Sequence, residues 1–160
     1  MDEQLVVFEL NGEAYGVEVA RVQGIIPLQP ISVVPGAPAF IEGVINLRGA
    51  VVPVVDLRTR FGLALPTHGH KPVIVIVELA NLHLGLIVDK VTDVTKIAEA
   101  AIEPPSPLLT SVDTAYLRGI GKFKERLVIL LDLGRVFSLE EKQTLVESRP
   151  DSILPHKESV

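Results

Sequence analysis

A chain of 160 residues, 48% of them hydrophobic and none of them cysteine, has ample apolar mass for a core and no means of making a disulfide or a thiolate metal site. A net charge of −5 argues against a phosphate-backbone partner, and no basic cluster interleaved with aromatics offsets it. Runs such as Val73 to Val77 and Leu127 to Leu131 fall far short of the roughly 18 residues that suggest a membrane span, and the acidic start MDEQLVVFEL has no signal-peptide pattern. The expectation is a cytoplasmic protein with no nucleic-acid partner and no direct membrane insertion.

In chain order, residues 4–10 read as a strand, Asn11-Gly12 as a hairpin turn, and 14–19 as the returning strand. A short helical turn and a further strand follow between Val19 and Ile26. Pro27, Pro30, Pro35 and Pro38 then make a loop, and its residues Ile31, Val33 and Val34 suggest that it packs on the body.

The segment Gly43 to Asp56, GVINLRGAVVPVVD, reads as a β-hairpin. Gly49 suits the first central position of a type II′ turn, which needs a positive φ there. Alternation puts Ile45 and Leu47 on the core face and Val44, Asn46 and Arg48 on the other. Pro53 donates no ladder hydrogen bond, which predicts an open edge beside it.

Asp56 is a good N-cap for a helical turn over 57–61, with Gly62 closing it. A polar loop at 66–72 leads to strands at 73–79, 82–88 and 91–97. A Pro-rich loop starting at 103 runs to about 115, and a last strand pair spans 116–121 and 126–132. Asp132 opens another short helix, and Ser138 with Glu141 forms a capping-box pattern before a helix at about 139–147. Residues 148–160 are expected to form a flexible tail.

The chain repeats itself. Residues 8–22 resemble 77–91 at an offset of 69, with Glu9/Glu78, Leu10/Leu79, Gly16/Gly85, Val19/Val88 and Val22/Val91 identical. Residues 52–61 resemble 128–137 at an offset of 76, and Leu47-Arg48-Gly49 recurs as Leu117-Arg118-Gly119. A period this long implies two related β units rather than a stacked array.

Reactive chemistry finds little support. His68 and His70 form H-x-H in a loop without further ligands at a metal-like spacing, and Asp56 and Asp132 are better read as N-caps than as a catalytic pair. Asp89 and Asp93 share a strand face and suit solvation or turn formation. Gly119-x-Gly121 lacks the third glycine of a dinucleotide loop, and no G-x-S-x-G occurs. No catalytic, metal or cofactor residue is assigned. Arg48 stands out, because a planar, multiply donating guanidinium beside Asn46 is the kind of group found at interface hot spots.

The segments GVINLRG..VPVVDLR (43–58), FELNGEAYGVEV, VVPGAPAFIEGV, LGLIVDKVTDV, IEPP (102–105) and YLRGIGK followed by LVILLDL resemble the CheW family of chemotaxis coupling proteins, in order and from residue 6 to about 138. The resemblance implies a mainly β fold of two intertwined five-stranded barrels with short helical turns and a C-terminal helix. The domain would span 1–147, as units of approximately 12–66 and of 1–11 with 67–138. It implies a non-enzymatic adaptor between the regulatory domain of the histidine kinase CheA and the cytoplasmic tip of methyl-accepting chemoreceptors. Ile41, Glu42 and Gly43 would meet the kinase. Val22, Asn46, Arg48, Val88 and Val91 would meet the receptor or another partner. Where the family commonly has an acidic residue after Val22, this chain has Gly24, so an acid there cannot pair with Arg48. The alternatives are a coupling protein of a pilus-type receptor–kinase array and a small-ligand-binding β-barrel, the latter weakened by a scarcity of aromatics.

Overall fold

The strand VIVIVEL has no polar alternation until Glu78, and such a run folds as a strand only where both of its faces are covered. In the computed structural model, which describes residues 2–63, 71–79, 81–108, 112–138 and 141–142, both faces are covered. The strands are β1 (Asp2–Leu10), β2 (Glu13–Glu18), β3 (Val22–Pro27), β4 (Gly43–Leu47), β5 (Ala50–Asp56), β6 (Val73–Leu79), β7 (Leu82–Val88), β8 (Lys90–Ala98), β9 (Leu117–Phe123) and β10 (Arg126–Leu131). Helix α1 (Leu57–Arg60) follows β5 and α2 (Leu133–Val136) follows β10. Asp56 and Asp132 cap them, accepting from the N–H of Arg58 (2.9 Å) and Gly134 (3.0 Å) as expected.

Two five-stranded sheets result, ordered β8-β1-β2-β10-β9 and β3-β6-β7-β5-β4. The repeat maps β1–β5 onto β6–β10, so the two orders are the same order written for opposite units. Each unit lends its first hairpin to the other, which is the intertwining expected. The sheets are open rather than closed barrels. Their division also differs from the expected one: the chain changes sheet at residues 19–21 and again at Asp89, so one sheet is built from 22–88 and the other from 2–18 with 90–131.

Side-chain alternation then makes three apolar layers. Val6, Phe8 and Leu10 with Val75, Val77 and Leu79 face the central core between the sheets. Leu5 and Val7 turn to the opposite face of the first sheet, into a separate apolar cluster, and Ile74 and Ile76 do the same on the second. Phe8, Tyr15, Phe61 and Tyr116 form a chain of stacked rings, with centroids 6.1, 6.2 and 5.6 Å apart.

The structure corrects one repeat match. Gly43 and Gly119 occupy equivalent places, each beside a single bridge from the preceding loop, Ser32 to Val44 and Glu103 to Ile120. A Cβ on Gly43 would lie 2.4 Å from the Ser32 carbonyl oxygen, and one on Gly119 2.7 Å from that of Glu103. The offset of 76 therefore runs through this whole hairpin, and the shared Leu-Arg-Gly triplet is coincidence. The Ser138 capping box is present, with Ser138 N–H donating to Glu141 and Glu141 N–H to Ser138 Oγ. Glu141 and Lys142 are helical, while the other residues of that helix and the tail, like His68 and His70, lie outside the described residues.

Candidate interaction surface

The β4–β5 turn lies one residue earlier than expected. Leu47 pairs with Ala50, which leaves Arg48 and Gly49 as its two central residues, at φ 53° and 86°. Two positive φ values define a type I′ turn, not II′, and place Arg48 at the tip rather than on the strand face. Asn46 supports this shape: its Oδ1 accepts the Gly49 N–H at 2.9 Å. Arg48 is exposed, and its side chain has no hydrogen-bond or ion-pair partner among the described residues. An L-residue in the left-handed region costs about 1 kcal/mol, and the Arg48 side chain itself makes no bond within the described chain that offsets it.

The edge predicted beside Pro53 is not open. β5 lies inside its sheet, and Pro53 stands opposite Val44. The N–H and C=O of Val44 both bond Ser32 at 2.9 Å, so Pro53 has no donor to supply on that side, and the β5–β7 ladder starts only at Val54. β4 ends the sheet, yet Ser32 covers it at Val44 and Gln29 Nε2 donates to the Asn46 carbonyl at 3.2 Å.

The expected partner residues fall into three places. Asn46 and Arg48 are at the hairpin tip, where a cleft of about 320 Å³ is lined by Gln23, Gly24, Leu47, Arg48, Ile76 and His83. Ile41, Glu42 and Gly43 sit where the Pro-rich loop joins β4. Glu42 is exposed, Ile41 is half-buried beside an apolar groove formed with Val34, Pro38 and Pro53, and Gly43 is buried. Val22, the first residue of β3, and Val91, the second of β8, stand at equivalent positions, each half-buried on the central core. Val88 is a correction: at 0% exposure its side chain lies inside the central core and offers no surface to a partner.

A buried ion cluster went unread in the sequence. Arg58, 8% exposed, donates from Nε and Nη2 to Asp56 (3.0 and 2.8 Å) and from Nη1 to Asp89 (3.1 Å). The hydrogen bonds to Asp56 outweigh burial and hold the guanidinium above its ordinary value. Of the two roles expected for Asp89, solvation does not hold, since it is 4% exposed, but it does support a turn, accepting the Asn11 N–H at 2.7 Å. Asp89 thus ties the end of β7 to the β1–β2 turn across the two sheets. The available signal was the asymmetry of the repeat, where Arg58 answers to Gly134. Arg60 is a second such residue. It donates to the Val136 carbonyl and the Glu141 carboxylate and lies over the rings of Phe40 and Phe137.

Among the described residues, no three His, Asp or Glu side chains come together as a metal site, and no helix is long and apolar enough to cross a membrane. Fold and surface thus define a doubled β scaffold that presents polar groups on turns and sheet ends. The chain belongs to the CheW-like domain family, whose model matches residues 4–141. It is 35% identical to the chemotaxis protein CheW of Bacillus subtilis, over 90% of this chain and 92% of that protein. Its identity to the CheW of Klebsiella aerogenes is 32%, over 87% and 84%. The crystal structure of the scaffolding protein TtCheW from Thermoanaerobacter tengcongensis superposes with a TM-score of 0.78 at 40% identity, covering 88% of this chain and 91% of that one.

Proposed function

We propose that this protein is a non-enzymatic, cytoplasmic chemotaxis adaptor that couples the cytoplasmic tips of methyl-accepting chemoreceptors to the regulatory domain of the histidine kinase CheA. The observation that carries the reading is Arg48, held exposed in a strained left-handed turn with no partner among the described residues, in a family whose similar members are named for chemotaxis. Strain of this kind is kept where it serves a site. Ile41 and Glu42 would meet the kinase, with Gly43 allowing the Pro-rich loop to close on β4. Asn46 and Arg48 would engage a partner at the hairpin tip. Val22 and Val91 would line the groove for an amphipathic receptor helix, with Val88 supporting them from beneath.

The test is titration of Arg48→Ala against the kinase regulatory domain and a receptor-tip fragment. A hot-spot role predicts a loss of about 2 kcal/mol or more toward at least one of them with an unchanged melting temperature. Wild-type affinity for both, retained by the variant, would remove Arg48 from the interface. Failure of the wild type to bind either, together with co-purification of a pilus-array kinase, would favour the alternative array.

A further inference from the structure

The repeat supplies a control for the hairpin tip. β8 pairs with β1 as β3 pairs with β6, and both ladders slip at the same place: the shift between Val22 and Gly24 answers to the one between Val91 and Asp93. Gly24 and Asp93 are therefore equivalent. On the neighbouring hairpins, Arg48 (φ 53°) and Lys124 (φ 52°) are likewise equivalent, each the first of two left-handed turn residues. In the second unit the pair is complete, with Lys124 Nζ 3.3 Å from Asp93 Oδ1. In the first unit the cation is present and the acid is missing.

What stands in place of the acid is room. A Cβ built on Gly24 meets nothing within 4 Å, and Gly24 and Arg48 line the same cleft of about 320 Å³. The floor of that cleft is apolar, from Ile26, Leu47, Val52 and Ile76, and its other polar groups are Gln23 and His83, so no carboxylate lines it. In a protein of net charge −5, this is a local site for an anion beside an apolar surface.

We propose that a partner protein supplies the missing carboxylate: a glutamate or aspartate with an apolar neighbour enters the cleft over Gly24 and pairs with Arg48. It takes the place that Asp93 holds beside Lys124. This rests on the adaptor reading and adds the chemistry by which a partner is recognised. A charge-assisted bond from a planar guanidinium gives such an acid both energy and direction.

Gly24→Asp tests it by supplying the acid within the chain, and Gly24→Asn adds nearly the same volume without charge. The melting temperature of each variant establishes that it folds. The kinase regulatory domain and the receptor-tip fragment serve as probes, titrated at low and high salt. The expected result is that Gly24→Asp weakens binding of one probe about tenfold, that Gly24→Asn, which fills part of the same room but leaves Arg48 unneutralised, weakens it less, and that Arg48→Gln weakens it about tenfold and flattens its salt dependence, with the double variant no weaker than either. Wild-type affinity in Gly24→Asp overturns the inference while leaving the adaptor reading intact. An equal loss in Gly24→Asn, together with a salt dependence that Arg48→Gln leaves unchanged, overturns it by showing that volume, not charge, is sensed. Wild-type self-association abolished by Gly24→Asp, with both probes still bound, overturns it in favour of a second copy. A wild type that binds neither probe removes the adaptor reading and this inference with it.

Discussion

Replacing Arg58 by Leu should be the most damaging single change outside the apolar core. The guanidinium makes three bonds, of 3.0, 2.8 and 3.1 Å, to two carboxylates that are themselves 8% and 4% exposed. Leu fills much of the volume but strands Asp56 and Asp89 as buried, uncompensated charges. Removing one member of a buried ion pair costs about 3–5 kcal/mol. For a chain of this size each kcal/mol moves the melting temperature by about 2–4 °C, so the variant should melt roughly 6–20 °C lower. Urea denaturation at neutral pH gives the free energy directly. A loss under about 1 kcal/mol, the scale of an exposed pair, would refute the reasoning and show that the cluster is effectively solvated.

Arg48→Asn should raise stability by about 0.5–1 kcal/mol, because Asn followed by Gly suits a type I′ turn better than Arg does, while weakening partner binding; unchanged stability in a melting experiment would count against backbone strain at the tip. Gly43→Ala should cost at least about 1–3 kcal/mol, since φ is 155° and the new Cβ would meet the Ser32 carbonyl at 2.4 Å, whereas Gly24→Ala should be tolerated sterically. Equal melting temperatures for these two variants would contradict the close approach of loop and strand. Burial opposes the charge of Glu141, but bonds from Arg60 and Ser138 outweigh it and hold the carboxyl below its ordinary 4.5. A depressed folded-state value means that the contribution is present above the unfolded value and lost as pH falls through the folded one. Titration of the Glu141 carboxyl by NMR should give a midpoint below 4.5, and Arg60→Met should raise it.

Much of this protein is local and was legible in the chain. The Asn11-Gly12 turn, the Asp56 and Asp132 caps, the Ser138 capping box and the strands over 73–79 and 82–88 depend on neighbours a few residues apart. The offset of 69 announced two like units, because equivalent strands need equivalent patterns of apolar and small residues. What tertiary structure decided was everything that rests on partners distant in sequence. Which hairpin joins which sheet depends on the β2–β10 and β5–β7 pairings, which are parallel and long-range. Pro53 falls inside a sheet because its neighbour is occupied by Ser32, and Val88 is buried because the first sheet closes over the one it belongs to. Asp89 meets Arg58 31 residues away, and the charge of either is tolerable only in that company. Local chemistry determined the pieces of the scaffold, while burial, which depends on the sum of distant contacts, determined which polar groups hold it together and which are left for others to bind.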